Sequence, residues 1–179
     1  MSDKYASERG DPGVPVCQQA PVRLSFDGVL LKGSGGKLAM MYPAVSGKPN
    51  EKGQFVYTID RQKEAKKGPI PEGEYWIQPS QIWDNAWYKN GSRAGWGEHR
   101  LTIHPYPKTE TYGRGGFFIH GGHVPGSAGC IDLTSHIVGF IQAMEKELSG
   151  RPECFLSLTV NYGSRASSVS GASTRPWAE

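Results

Sequence analysis

Cysteine is scarce in this 179-residue chain: Cys17, Cys130 and Cys154 are the whole complement. That is too few, and too unevenly spaced, for a disulfide framework. A Cys17–Cys154 bridge is one reading; two unrelated reduced thiols is the preferred one. No run of residues approaches the roughly 20 apolar positions that a membrane-spanning helix requires. The opening Met-Ser-Asp-Lys-Tyr-Ala-Ser-Glu-Arg-Gly has no apolar stretch, so no secretory leader is expected. An excess of one charge is also lacking, with 20 Lys and Arg against 17 Asp and Glu and a net charge of +3. Without a basic run or an RNA-binding aromatic pattern, nucleic acid is not an expected partner.

Glycine and proline are abundant, at 24 and 13 residues. Together they exceed the average share of about 12% without reaching the roughly 25–30% of low-complexity chains. Aromatic residues, at 11%, are sufficient to furnish a core. The length fits one domain, rich in turns and poor in long helices. Residues 1–22 read as a polar arm, 23–162 as the folded domain and 163–179 as a flexible tail of Ser, Ala, Gly and Thr.

Within the domain, Arg23–Phe26 alternates apolar and polar residues, and Asp27-Gly28 can turn it into a hairpin with Val29–Lys32. Lys37–Tyr42, Phe55–Asp60, Glu74–Gln78, Arg100–His104, Phe117–His120 and Phe155–Val160 are further strand candidates. Pro43–Gly53 reads as a loop and the charged Lys63–Lys67 as a solvated connection. The segment from Ile82 to Trp96 holds Trp83, Trp87, Tyr88 and Trp96; it either caps an open end of the sheet or lines a groove for an extended ligand. The principal helix is expected at Ser135–Leu148, where Ile137, Ile141, Met144 and Leu148 form one apolar stripe. Thr134 or Ser135 is the expected cap, and Gly150 stands beyond the end. The fold class is therefore mainly β with one substantial helix.

The chemistry concentrates in Phe118-Ile119-His120-Gly121-Gly122-His123-Val124-Pro125-Gly126-Ser127-Ala128-Gly129-Cys130-Ile131-Asp132-Leu133. A strand delivers His120, a glycine-rich loop follows, and Cys130 arrives just before the helix. A thiol attacks as thiolate, which a neighbouring imidazole and a helix N-terminus both favour. Gly129 permits close backbone approach, so that the Cys130 N–H can help bind an oxyanion. Ser127 can bond to the loop or the substrate, and the Gly121 carbonyl can fix the His120 tautomer by accepting its Nδ1 proton. The bland alternatives are a cysteine acting as a small buried hydrophobe and a histidine serving structure alone. A zinc site drawn from His104, His120, His123 and Cys130 lacks the carboxylate general base of H-E-x-x-H. A non-catalytic wall-binding module built on the Trp83–Trp96 segment is a further alternative.

Ile119-His120-Gly121 followed by Ser127-Ala128-Gly129-Cys130-Ile131 resembles the L,D-transpeptidase catalytic domain. Upstream, Gly68-Pro69-Ile70-Pro71-Glu72-Gly73-Glu74-Tyr75 looks like that family's turn into a sheet strand, and Val45-Ser46-Gly47-Lys48 is similar to its preceding loop. The likeness spans about residues 23–162. It implies an L,D-transpeptidase-like β-sandwich or mixed sheet with the principal helix after the nucleophile. Two departures stand out: Asp132 occupies a position where many members have Arg, and Ala128 one where many have a second His. The first puts a substrate-carboxylate contact in doubt, and the second leaves His120 as the base.

The variant from His120 to Leu133, with no leader, looks most like antibacterial effectors delivered by type VI secretion. The resemblance implies Cys130 as nucleophile, His120 as base, and Gly121, Ser127 and Gly129 as orienting or oxyanion groups. Arg114 and His123 are candidate substrate contacts, although for Arg114 a solvated side chain is the plainer reading. It implies peptidoglycan stem tetrapeptide as substrate, with no metal or cofactor required. A monomer made in the cytoplasm without a leader would be exported by the type VI apparatus into a rival's periplasm, with a cognate immunity protein in the producer. A housekeeping wall cross-linker that has lost its leader is the nearest alternative.

Overall fold

The computed structural model describes residues 15, 17–37, 39–84, 97–151 and 154–167. Its first strand, β1 (Gln19–Phe26), shows strict in–out alternation with Ala20, Val22, Leu24 and Phe26 inside. It begins within the stretch read as an arm. The turn at Asp27-Gly28 is fixed by chemistry: Asp27 Oδ1 accepts the Val29 and Leu30 N–H groups at 3.0 and 2.8 Å, and Gly28 adopts φ +93°. The chain returns as β2 (Leu30–Ser34), antiparallel to β1, followed by β3 (Met40–Pro43).

Ten strands form one mixed sheet in the order β3-β2-β1-β10-β5-β7-β8-β9-β4, with β6 paired to β7. The remaining members are β4 (Val45–Ser46), β5 (Gly73–Ile77), β6 (Ile82–Asp84), β7 (His99–Pro105), β8 (Phe117–His120), β9 (Ile131–Asp132) and β10 (Phe155–Val160). Most neighbours are antiparallel; β1–β10 and β8–β9 are parallel. The order has a geometric consequence. β3 and β4 stand at opposite ends of the path yet are separated in sequence by Ala44 alone, which is fully buried. The sheet must therefore curl until its two ends nearly meet, around a core that includes Phe26, Phe55, Tyr57, Tyr75, Phe117 and Leu158.

The helix expectation holds in substance. A 3-10 turn at Thr134–His136 leads into α2 (Ile137–Glu147), which buries Ile137, Phe140, Ile141 and Met144. Neither Thr134 nor Ser135 caps it by side chain; instead Asp132 Oδ1 accepts the Thr134 N–H at 2.8 Å. The helix packs on β3, where Tyr42 donates to the Gly139 carbonyl at 3.1 Å and stacks edge-on against Phe140.

Three expectations change. Phe55–Asp60 is not a strand. Phe55 and Tyr57 point inward from an extended segment, then Thr58 accepts the Arg61 N–H and starts the short helix α1 (Ile59–Lys63). β4 lies within the expected loop Pro43–Gly53, because Val45 and Ser46 find a ladder partner in β9. At the tail, Gly163–Ala166 forms a 3-10 turn, and Arg165 donates to the Asp27 carbonyl at 3.3 Å. Cys17 and Cys154 are free thiols. Of the tryptophan-rich segment, residues 85–96 lie outside the described residues. No helix among the described residues is long and apolar enough to cross a membrane.

Phe140 joins the helix to the sheet and is completely buried. Phe140→Ala is expected to destabilise the fold by about 3–5 kcal/mol, the usual range for emptying an aromatic core site. Urea denaturation of the variant checks this.

Candidate active site

The site is assembled by the parallel pairing of β8 with β9, in which Ile119 faces Ile131 and His120 faces Asp132. Cys130, the residue before Ile131, thereby lies diagonally across the pair from His120, on the face where alternate side chains project. The ten residues of the connecting loop, 121–130, are held at several points. Ser127 N–H donates to the Gly47 carbonyl at 3.0 Å, beside β4. Gly126 N–H donates to Asp132 Oδ2 at 2.9 Å. Gly121 carries no side chain for a plain reason: a Cβ there would stand 2.5 Å from both the Thr134 carbonyl oxygen and Ile137 Cγ2. The start of the helix thus seats directly on the residue after His120. Thr134 itself adopts φ +50°, an unusual conformation for a non-glycine residue next to such a site.

His120 is buried, and its Nδ1 lies 2.5 Å from the Gly121 carbonyl oxygen and 4.0 Å from Asp132 Oδ1. The carbonyl can only accept, so Nδ1 carries a proton, which leaves Nε2 as the ring's basic nitrogen. Asp132 is fully buried and its two oxygens accept the Thr134 and Gly126 N–H groups. Burial raises its pKa, opposed by His120 and by those two N–H bonds. An aspartate two residues beyond Cys130 on a strand shares its face; that spacing was the available sign of its place in the site, which the sequence reading treated only as a missing arginine.

Cys130 is 5% exposed. Its Sγ lies 4.0 Å from the Gly116 carbonyl oxygen and receives the Phe118 amide and the Ser127 hydroxyl as neighbours. Burial pushes the thiol up to about 12; Asp132 adds to the rise, while the Phe118 N–H, Ser127 and Arg114 counter it. Burial therefore favours a neutral thiol in the resting group. The helix start does not relieve this, since Asp132 already takes the Thr134 N–H. Ser127 brackets the nucleophile: its Oγ accepts the Cys130 N–H at 3.0 Å and lies 2.9 Å from the Cys130 carbonyl oxygen. The Cys130 N–H is thus engaged by Ser127 before any oxyanion arrives.

Arg114 is neither solvated nor turned toward the surface. Its Nη1 donates to the Gln62 and Pro69 carbonyls and its Nη2 to the Gly68 carbonyl. Its guanidinium also rests over the Phe117 ring. A Cβ on Gly129, which has φ +112°, would come within 2.6 Å of Nη2. His123, by contrast, is exposed and lines a cleft of about 280 Å³ with Gly97, Glu98, Gly122, Thr134, Ser135, Ile137 and Val138. A second cleft of about 460 Å³ is lined by Lys48, Lys52, Arg61 and Lys67 together with Glu51, and Arg61 is paired with Glu64. His104 is placed elsewhere, stacked on Trp76 with its Nε2 2.5 Å from Gln81 Oε1.

A curled mixed sheet that sets a carbonyl-anchored histidine and a loop-borne cysteine on one face brings together residue types of one broad chemical class, a base and a nucleophile candidate. The comparisons narrow that class. The family model described as the Tlde1 domain matches residues 42–151, and the chain belongs to that family. The solved structure of Bdellovibrio bacteriovorus Bd1075 is similar at 18% identity and a TM-score of 0.48, over 80% of this chain and 49% of that one. This chain thus spans about half the length of that protein. No curated protein sequence shows significant similarity to it.

A thiol held neutral only in the folded state stabilises that state below the thiol's ordinary value of 9.0 and ceases to do so as pH rises toward about 12. Between those values the unfolded chain releases the proton and the folded chain keeps it, so stability falls with rising pH. Relative to Cys130→Ser, the protein is expected to lose roughly 1 kcal/mol more by about pH 10. Parallel alkaline curves in urea titrations of the two proteins would contradict the buried neutral thiol.

Proposed function

We propose that this Tlde1-family protein is a cysteine-dependent L,D-transpeptidase or L,D-carboxypeptidase that acts on the peptidoglycan stem tetrapeptide. The observation that carries the reading is the diagonal placement of Cys130 and His120 across β8 and β9, with Nδ1 tied to the Gly121 carbonyl so that Nε2 is the basic nitrogen. Because the thiol is neutral at rest, it must give up its proton to act. His120 takes that proton, and Sγ then adds to the carbonyl joining diaminopimelate at position three to D-Ala at position four. The resulting oxyanion draws on main-chain N–H groups at Gly129 and Cys130, the latter exchanging its Ser127 bond for the substrate. The imidazolium then gives its proton to the departing D-Ala amine, and the C–N bond breaks to leave a thioester.

Water resolves the thioester in a carboxypeptidase, a free D-amino acid in an exchange, and another stem's amine in a cross-link. Each outcome depletes tetrapeptide donors, which suits an antibacterial effector. The stem peptide carries several carboxylates, and the Lys48–Lys67 cleft beside the Ser127 loop is the cationic surface suited to them. His123 lines the other cleft, where it can contact the substrate. In this reading the chain is made in the cytoplasm, exported by the type VI apparatus to a rival's periplasm, and neutralised at home by an immunity protein.

Incubation of purified tetrapeptide muropeptides with the protein, followed by mass spectrometry, is the direct test. Tripeptide or D-amino-acid-exchanged product is expected from the wild type. Cys130→Ala is expected to lose at least about a thousandfold in rate, as when a covalent nucleophile is removed. Unchanged tetrapeptide with the wild type, or undiminished turnover by the variant, would refute the assignment.

A further inference from the structure

Arg114 is 7% exposed, and no carboxylate among the described residues lies within ion-pair range of its guanidinium. Its hydrogen bonds go to main-chain carbonyls, which soften a buried charge without cancelling it. Its Nη2 stands 2.6 Å from where a Cβ on Gly129, the residue before Cys130, would lie, and the titratable groups whose charge it feels are Tyr162, Tyr75 and Cys130. Both tyrosine hydroxyls donate to carbonyls, of Pro71 at 2.7 Å and Ile70 at 2.6 Å, and burial drives both further toward the neutral form. Cys130 is the group of the three that the proposed chemistry ionises. At the other end of the site, Asp132 is fully buried beside His120, with an oxygen 4.0 Å from Nδ1.

Resting on the reading of Cys130 as nucleophile and His120 as base, we infer that Arg114 and Asp132 are fixed counter-charges flanking that pair. Moving one proton from sulfur to imidazole then creates a thiolate facing Arg114 and an imidazolium facing Asp132. No net charge is added to the site, and each new charge meets an opposite one already in place. Asp132 works against a lone thiolate, and its effect on Cys130 exceeds that of Arg114; once His120 carries the proton, that same carboxylate is neutralised. The arrangement therefore disfavours free thiolate and favours the ion pair. Arg114 and Asp132 are positioning residues, acting through their neighbours and not on the substrate.

The test reads the thiol directly, by the rate of iodoacetamide alkylation on the Cys130-containing peptide, and needs no muropeptide. Arg114→Gln is expected to slow alkylation about tenfold, the equivalent of one pKa unit, whereas Arg114→Lys, which keeps the charge but loses the carbonyl fork, stays within about threefold of wild type. Equal losses in the two variants at matched thermal stability would show that Arg114 serves only as a structural hydrogen-bond donor, overturning the inference. Should the Arg114 variants not fold, Asp132→Asn decides. Proton NMR titration is expected to show the His120 imidazolium weakened by about one unit, and an unmoved titration overturns the inference. Failure of muropeptide turnover with these responses intact would instead count against the substrate assignment alone.

Discussion

Two residue pairs, Ile119 with Ile131 and His120 with Asp132, carry the architecture of this site. The short parallel contact between β8 and β9 brings together the ends of a loop that would otherwise be free to place Cys130 anywhere within its reach. A ladder this short is weak alone. It holds because β9 is also paired to β4 on its far side, β8 to β7, and Asp132 ties the loop at Gly126 to the helix start at Thr134. The curl of the sheet supplies the remaining constraint: β4 can reach β9 because Ala44 joins it to the opposite end of the strand order.

The same constraint sets the electrostatics. A dry site strengthens every interaction between charges but makes a single uncompensated charge costly. Cys130 at 5% exposure and His120 deeper still cannot be ionised one at a time without penalty. A reaction that begins by transferring a proton between neighbours avoids that penalty, since charge is separated within the site and not imported into it. Burial that raises a thiol to about 12 is then compatible with nucleophilic catalysis and also protects the sulfur from adventitious chemistry, because the thiol is a far poorer nucleophile than the thiolate.

How much of this was legible in the sequence depended on the range of the interaction. Local periodicity found α2 from Ile137, Ile141 and Met144, and found β1, β5, β7, β8 and β10 from alternation or short apolar runs. The Asp27-Gly28 turn was readable because its chemistry lies within four residues. Phe55 to Tyr57 misled for the complementary reason: alternation reports which side chains are buried, and only a partner strand decides whether the segment is a ladder or a lone extended stretch. β4 was invisible because two residues carry no period, and their strand character comes entirely from β9. In the site, His120 and Cys130 could be read from residue type and motif. The neutral state of the thiol, the engagement of the Cys130 N–H by Ser127 and the burial of Arg114 depend on packing between segments far apart in the chain, for which sequence offers no local mark.

The departure at Asp132 acquires a physical sense once Arg114 is placed. Where many L,D-transpeptidase-like sequences have a cation two residues after the nucleophile, this chain has an anion, turned inward to His120 and the helix start. The cation instead comes from the approach to β8, where Arg114 threads beneath Gly129 and is gripped by the carbonyls of the Gly68–Pro69 turn. Gly129 has to be glycine on two counts, because φ +112° disfavours a side chain and Nη2 occupies the space a Cβ would need. The turn at Gly68 to Pro71, the residue before Cys130 and the buried arginine are therefore one unit. A lysine or serine at position 132 could not hold both the Gly126 and Thr134 N–H groups through two oxygens while standing opposite an imidazolium.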